Sequence, residues 1–199
     1  MTNWPEPFSV EGRHVSVVPL AFDQQSDLEE AAADGELHRL WYTTVPKPDE
    51  VCNEIERRLK LRQAGSMLPF AIIDRSSGQA VGMTTYMNID AANRRLEIGS
   101  TWYRKSVQRS PLNTECKLLL LRHAFETLEC IAVEFRTHYI NWHSRAAIER
   151  LGAKFDGIIR SHMIMPNGTV RDTAVYSIIA SEWPTVEANL NWLLEKPRE

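Results

Sequence analysis

Leu96-Glu97-Ile98-Gly99-Ser100-Thr101 and, a few residues on, Arg104-Lys105-Ser106-Val107-Gln108-Arg109-Ser110-Pro111-Leu112-Asn113-Thr114 decide how this chain folds. The first run, with Arg95 before it, alternates apolar and polar residues as a strand does. The second is a polar loop. Thr114 to Leu128 then reads as an apolar helix, with Leu118, Leu121, Phe125 and Leu128 on one face. Ala132 to Thr137 is the next strand, where Val133 and Phe135 alternate with Glu134 and Arg136. A strand, a crossover helix and a second strand make a parallel pair in one sheet. Asn141-Trp142-His143-Ser144 opens a further short helix, Ser144 to Leu151, stopped by Gly152.

Outward from this segment the pattern stays mixed. Strands are expected at His14 to Pro19, Leu68 to Asp74 and Ala80 to Asn88, the last two joined by the turn Arg75-Ser76-Ser77-Gly78-Gln79. Asp23 to Ala33 and Asp49 to Gln63 read as helices, the second from Val51, Ile55 and Leu59 at four-residue spacing. Ile158 to Met165 and Val170 to Ala180 form a hairpin around Pro166-Asn167-Gly168, whose Asn-Gly pair is a turn signal. From Pro184 to Glu195, Val186, Leu190, Leu193 and Leu194 make a helical stripe. The stripe packs on its own domain, with a homodimer contact as the alternative. The sum is one α/β (α+β) domain over residues 1–199, a central mixed sheet, mostly antiparallel, with helices on both faces.

Composition narrows the function. The net charge of −3 over 199 residues argues against nucleic acid as a partner. No apolar run approaches the length of a membrane span and the first residues do not read as a signal peptide, so a cytoplasmic, membrane-free protein is expected. Cys52, Cys116 and Cys130 are too far apart for a metal cage or a disulfide framework, and His138 and His143 lack a third ligand nearby, so no metal is expected. No nucleophile elbow or zinc-hydrolase motif is present. Arg57-Arg58-Leu59-Lys60-Leu61-Arg62 reads as the solvated face of its helix.

The loop Arg104 to Thr114 lies between a strand and a helix N-terminus, where unpaired N–H groups and the helix dipole favour an anion, and it carries Arg104, Lys105 and Arg109. The other reading is a solvated loop capped by Asn113 or Thr114. Gln108-x-x-Pro111-x-Asn113, followed by Thr114-Glu115 and a Lys-Leu-Leu-Leu-Leu helix, resembles the cofactor loop of the GCN5-related N-acetyltransferase (GNAT) family, in its RimJ/RimL-type branch. Asn141-x-x-Ser144 and Leu151-Gly152-Ala153 resemble that family's next element. The resemblance implies the GNAT fold, with a splayed parallel strand pair, and acetyl-CoA as cosubstrate. It implies transfer of an acetyl group to a primary amine, either a small molecule or a protein N-terminus. The cofactor arm would meet Gln108, Arg109, Ser110, Leu112, Asn113, Thr114, Asn141 and Ser144, with backbone N–H groups near Trp102 and Tyr103 polarising the thioester.

Three positions differ from the family's general pattern. Pro111 stands where glycine is preferred and removes an N–H donor, while Asn113 at the second glycine position suits a positive φ. Ile148 stands where many members carry a tyrosine acid, so Ser144 is the candidate acid by position. Glu97 is the candidate base, because strand alternation sets it opposite Leu96 and Ile98 on a face with Gly99 and Thr101. An ion-paired structural glutamate is the alternative. His162 is the second candidate base, with an imidazole pKa near neutrality, or else a structural histidine. Pro111 and the absent tyrosine leave a rival reading: a GNAT-fold binding or regulatory protein with weak or lost CoA binding. The segment Leu40-Trp41-Tyr42-Thr43-Thr44-Val45-Pro46 is expected to line the acceptor side.

Overall fold

A computed structural model describes residues 4–196. Eight strands form one sheet in the order β1-β2-β3-β4-β5-β6-β8-β7. They are β1 (Val10–Glu11), β2 (Val15–Pro19), β3 (Met67–Asp74), β4 (Ala80–Asp90), β5 (Arg95–Tyr103), β6 (Ala132–His138), β7 (Lys154–Ile164) and β8 (Val170–Ile179). Helices α1 (Gln25–Ala33) and α2 (Val51–Gln63) cover one face, where Leu28, Ala31, Val51 and Ile55 pack against Ala71, Met83 and Trp102. Helices α3 (Leu112–Arg122), α4 (Trp142–Arg150) and α5 (Trp183–Glu195) cover the other. There Leu118 to Leu121, Ile148 and Leu190 meet Val17, Phe70, Tyr86, Leu96, Ile98, Val133 and Phe135. The stripe on α5 packs onto this core, with Val186 and Leu190 buried.

All neighbouring strands are antiparallel except β5 and β6. That parallel pair is short: Arg95, Leu96 and Glu97 face Ala132, Val133 and Glu134, and pairing stops there. β6 instead stays zipped to β8 along its length, from Ala132↔Ile179 to His138↔Thr173. The remainder of β5 follows β4. The strands therefore diverge into a V-shaped gap with Glu97 at its apex.

Strict alternation fails in β5 for a definite reason. The register with β4 moves from Thr85↔Gly99 to Met83↔Trp102, so β5 carries one extra residue, and Ser100 adopts φ 48°. This β-bulge shifts the phase of everything after it. Thr101 lies on the α3 face and Trp102 on the α1/α2 face, whereas alternation alone assigns Thr101 to the face of Glu97.

Other boundaries move for local reasons. Helix α3 begins at Leu112, two residues before Thr114, because Pro111 is already helical (φ −62°, ψ −24°) and Ser110 Oγ accepts from the Leu112 amide at 3.3 Å. Proline suits a first helical turn, where its missing N–H has no intrahelical partner to lose. β7 starts at Lys154 rather than Ile158, and the two-residue β1 carries no periodic signal. β7 forms the sheet edge and leaves Phe155, Ile158 and Ile164 exposed. Gly152 ends α4 at φ 100°, with Val186 of α5 3.1 Å from where a Cβ would stand, so a larger residue meets both strain and a neighbour.

Candidate active site

Glu97 is the last paired residue before the gap, on the face that carries α1 and α2. Its carboxylate accepts from Asn88 Nδ2 at 2.6 Å and lies 3.5 Å from Arg136 Nε. A Cβ at Gly99 would stand 2.6 Å from Glu97 Oε1, so the glycine makes the room the carboxylate occupies. Burial raises the Glu97 pKa above its ordinary value, against the opposing pull of Asn88 and Arg136. Glu134, its neighbour across the parallel pair, is held by Arg95 and Arg136 and goes the other way, to a lowered pKa. Two carboxylates at one apex are thus pushed apart, and Glu97 is the one biased towards holding a proton.

Backbone geometry separates Trp102 from Tyr103. The Arg104 amide donates to the Val81 carbonyl at 2.8 Å, and Trp102 faces Met83 two residues earlier. Alternation therefore commits the Trp102 N–H to β4 and turns the Tyr103 N–H towards the gap. The Tyr103 carbonyl, on the same open side, accepts from Gln108 Nε2 at 3.1 Å. Both side chains are buried, so only backbone atoms face the opening.

The loop after β5 holds a 3-10 turn at Lys105–Val107 and then Arg109 at φ 62°. The left-handed position is Arg109, whereas Asn113 is helical, so the expected tolerance of Asn113 for positive φ has no use here. The first intrahelical bond of α3 runs from Glu115 N to Pro111 O at 3.0 Å, which leaves the amides of Asn113 and Thr114 directed beyond the helix end. Arg109 and Gln108 are exposed. Leu112 and Thr114 are not: Leu112 is a core residue, and Thr114 Oγ1 accepts from Arg150 Nη1 at 3.1 Å, tying α3 to α4. A hollow of about 550 Å³ lies against this loop, lined by Ser106, Ser110 and Leu112 together with Arg13, His14 and Arg75.

Asn141 is the N-cap of α4, its Oδ1 accepting from the Ser144 amide at 3.1 Å. This cap leaves the Asn141 amide nitrogen for other partners. Ser144 lies in the first turn of α4, the helix on the sheet face opposite to Glu97. Ile148, at the family's tyrosine position, is buried in the core. His162 is in β7, three strands from Glu97, a span of roughly 14 Å. Its Nδ1 lies 2.9 Å from Thr173 Oγ1, which also accepts from Arg171 Nε. The structure does not bring His162 and Glu97 together.

Several residues near the site carried no sequence signal. His138 ends β6 and pairs with Thr173; its Nδ1 accepts from the Ile140 amide at 3.3 Å, while its buried Nε2 has no partner among the described residues. Burial, with Arg171 adding to it, holds the His138 pKa below the imidazole value. The Trp41 ring stands edge-on to His138 at 5.6 Å, which brings the Leu40 to Pro46 segment to the same side as Glu97. Arg58, read as solvated, is buried at 1% exposure: its Nη1 donates to Thr85 Oγ1 at 2.8 Å and its Nη2 to the Ser100 carbonyl at 3.1 Å. Asp34, after α1, accepts from the Ser106 amide at 3.0 Å and from Arg104 Nε at 3.1 Å, and those hydrogen bonds lower its pKa.

The sheet is thus split at one parallel pair, with an anion-suited loop on one side and an apex carboxylate on the other. Residues 18–154 match the acetyltransferase (GNAT) domain model. The chain belongs to the GNAT family. It is 33% identical to a GCN5-related N-acetyltransferase from Brucella melitensis, whose crystal structure superposes with a TM-score of 0.86 over 97% of this chain and 90% of that one. It is 34% identical over 106 residues to "Putative ribosomal N-acetyltransferase YdaF" of Bacillus subtilis (strain 168), a match spanning 53% of this chain and 57% of that relative. The structure of Mycobacterium smegmatis RimJ in complex with CoA-disulfide shares the fold, with a TM-score of 0.78 at 20% identity over 96% of each chain.

Proposed function

We propose that this protein transfers an acetyl group from acetyl-CoA to a primary amine, by direct attack in a ternary complex. The acceptor we propose is a protein N-terminal amine, in keeping with the ribosomal acetyltransferase named among its relatives. The observation that carries the reading is the gap opening immediately after Glu97↔Glu134, because it leaves backbone donors of β5 without a strand partner beside a buried carboxylate.

In this reading the pyrophosphate lies at the N-terminus of α3, against the amides of Asn113 and Thr114 and the side chains of Gln108, Arg109 and Ser110. The pantetheine arm runs in the gap, where the Asn141 amide nitrogen and the Tyr103 N–H supply donors. The amine enters from the side of Trp41 and His138. Glu97 takes its proton, the nitrogen lone pair attacks the carbonyl carbon, and the Tyr103 N–H supports the charge that develops on oxygen. When the C–S bond breaks, the sulfur leaves as thiolate or takes a proton from Ser144. A free thiol pKa of roughly 8.5 makes the thiolate a tolerable leaving group, so a weak acid suffices where the tyrosine is missing.

Calorimetric titration with acetyl-CoA and with CoA tests the cofactor half. Micromolar affinity is the expected result, followed by acetylation of a peptide with a free N-terminus and not of the same peptide blocked. No heat with either ligand and no thermal shift at millimolar concentration would leave a fold that no longer holds the cofactor.

A further inference from the structure

The bulge at Ser100 is gripped from both faces of the sheet by buried cations. From α2, Arg58 reaches the Ser100 carbonyl and Thr85 Oγ1, and Glu54 answers its charge at 2.6 Å. From α3, on the opposite face, Lys117 Nζ donates to Thr101 Oγ1 at 2.9 Å and Thr84 Oγ1 at 3.1 Å, and those two hydroxyls lie 2.8 Å apart. Lys117 is 5% exposed, and among the described residues no carboxylate lies within ion-pair distance of it. Glu115, two residues earlier, is engaged elsewhere, by the amides of Arg13, His14 and Val15.

Burying an ammonium with two neutral hydroxyls and no counter-ion is costly, and the apolar alternative is open to any α3 that only has to pack. The site where the cost is incurred is informative. Thr101 immediately precedes Trp102 and Tyr103, the stretch of β5 that borders the gap, so the uncompensated charge stands directly behind the wall of the V. Arg58 is neutralised within its own helix; Lys117 is not. We propose that Lys117 is a positioning and electrostatic residue of the acyl-transfer site, whose ammonium braces the bulge through Thr101 and biases the gap towards an anion at the thioester oxygen. The inference rests on the acetyl-CoA reading of the gap. Burial lowers the Lys117 pKa to about 8, so the side chain is still mostly charged at neutral pH.

The test compares two CoA thioethers of similar size at pH 7: S-carboxymethyl-CoA, which puts a negative charge beside the thioester position, and S-acetonyl-CoA, which puts a neutral ketone there. Lys117→Met should weaken the carboxymethyl compound by about tenfold or more, and change the acetonyl compound by no more than about threefold. Turnover should fall by about 30-fold at little-changed acetyl-CoA KM. Lys117→Gln keeps an N–H donor, one bond shorter than the ammonium, and removes the charge; it should show the same loss of preference, which separates loss of the charge from loss of a polar side chain. Equal weakening of both compounds, no change in either, or a Gln variant that retains the wild-type preference overturns the proposal. A wild-type chain that binds neither compound nor acetyl-CoA refutes the acetyltransferase reading itself. Binding of all three with a ratio indifferent to residue 117 refutes only the role of the lysine.

Discussion

Replacing Glu115 by alanine is the sharpest test of how α3 is tied to the sheet. Glu115 sits in the first turn of α3, and its carboxylate accepts three backbone amides at the start of β2: Arg13 at 2.8 Å, His14 at 2.6 Å and Val15 at 2.8 Å. Val15 is fully buried, whereas Arg13 is exposed and His14 half-buried. A hydrogen bond to a charged group contributes about 1.5–3 kcal/mol, and water can replace only the two outer ones. Counting the Val15 bond in full and the others at a fraction gives a loss of about 4 kcal/mol. At about 2–4 °C per kcal/mol for a chain of this length, Tm should fall by roughly 10 °C. Glu115→Gln keeps one carbonyl oxygen and should lose about half as much. Gly12 supplies an internal control, because a Cβ there would stand 2.4 Å from the Glu115 carboxyl carbon. Gly12→Ala should destabilise the wild type and cost much less in the Glu115→Ala background, a coupling that a double-mutant cycle reads directly. Urea unfolding followed by far-UV circular dichroism measures all five proteins. A loss below about 0.5 kcal/mol for Glu115→Ala, or full additivity with Gly12→Ala, would refute the anchor.

Glu97→Gln should abolish the rising limb of the pH–rate profile, a limb displaced upward from that of an ordinary glutamate because burial raises the Glu97 pKa. The same shift makes wild type lose stability relative to Gln as pH rises from below the unfolded carboxylate pKa through the folded one, which denaturant midpoints against pH would show. Pro111→Gly restores one N–H to the anion loop, so acetyl-CoA should bind about 2–10-fold more tightly by calorimetry while the fold loses about 0.5–1 kcal/mol. Arg58→Met strands the Ser100 carbonyl and Thr85 Oγ1, while Arg57 still pairs with Glu54, and should cost about 2–3 kcal/mol in thermal or chemical unfolding; a neutral result would mean the bulge does not need its guanidinium.

Much of the frame was legible in the sequence. The polar loop between an alternating strand and a leucine-rich helix announced the parallel pair, and Asn141-Trp142-His143-Ser144 announced the start of α4. What escaped was whatever depended on a change of phase or on a polar residue facing inward. Period-two reading put Thr101 beside Glu97, since nothing in Gly99-Ser100-Thr101 marks the extra residue. A run of basic residues on α2 reads as solvated until one of them proves to have a backbone carbonyl and a threonine waiting across the sheet. Lys117 was hidden in the same way, as one cation in an apolar helix. His138 and Asp34 gained their roles from partners about 30 to 100 residues away, Arg171 and Trp41 for one and Arg104 for the other, which no local spacing encodes.

Asp34 has a mechanical meaning beyond its charge. It terminates α1, leads within a few residues to Trp41, and is fastened to both the side chain of Arg104 and the main chain of Ser106. A single residue therefore rivets the end of α1, and the segment that leads on to Trp41, to the loop before α3. The fastening is threefold, through the Arg104 side chain and the amides of Lys105 and Ser106, so removing the Asp34 carboxylate leaves only the main-chain link from Lys105.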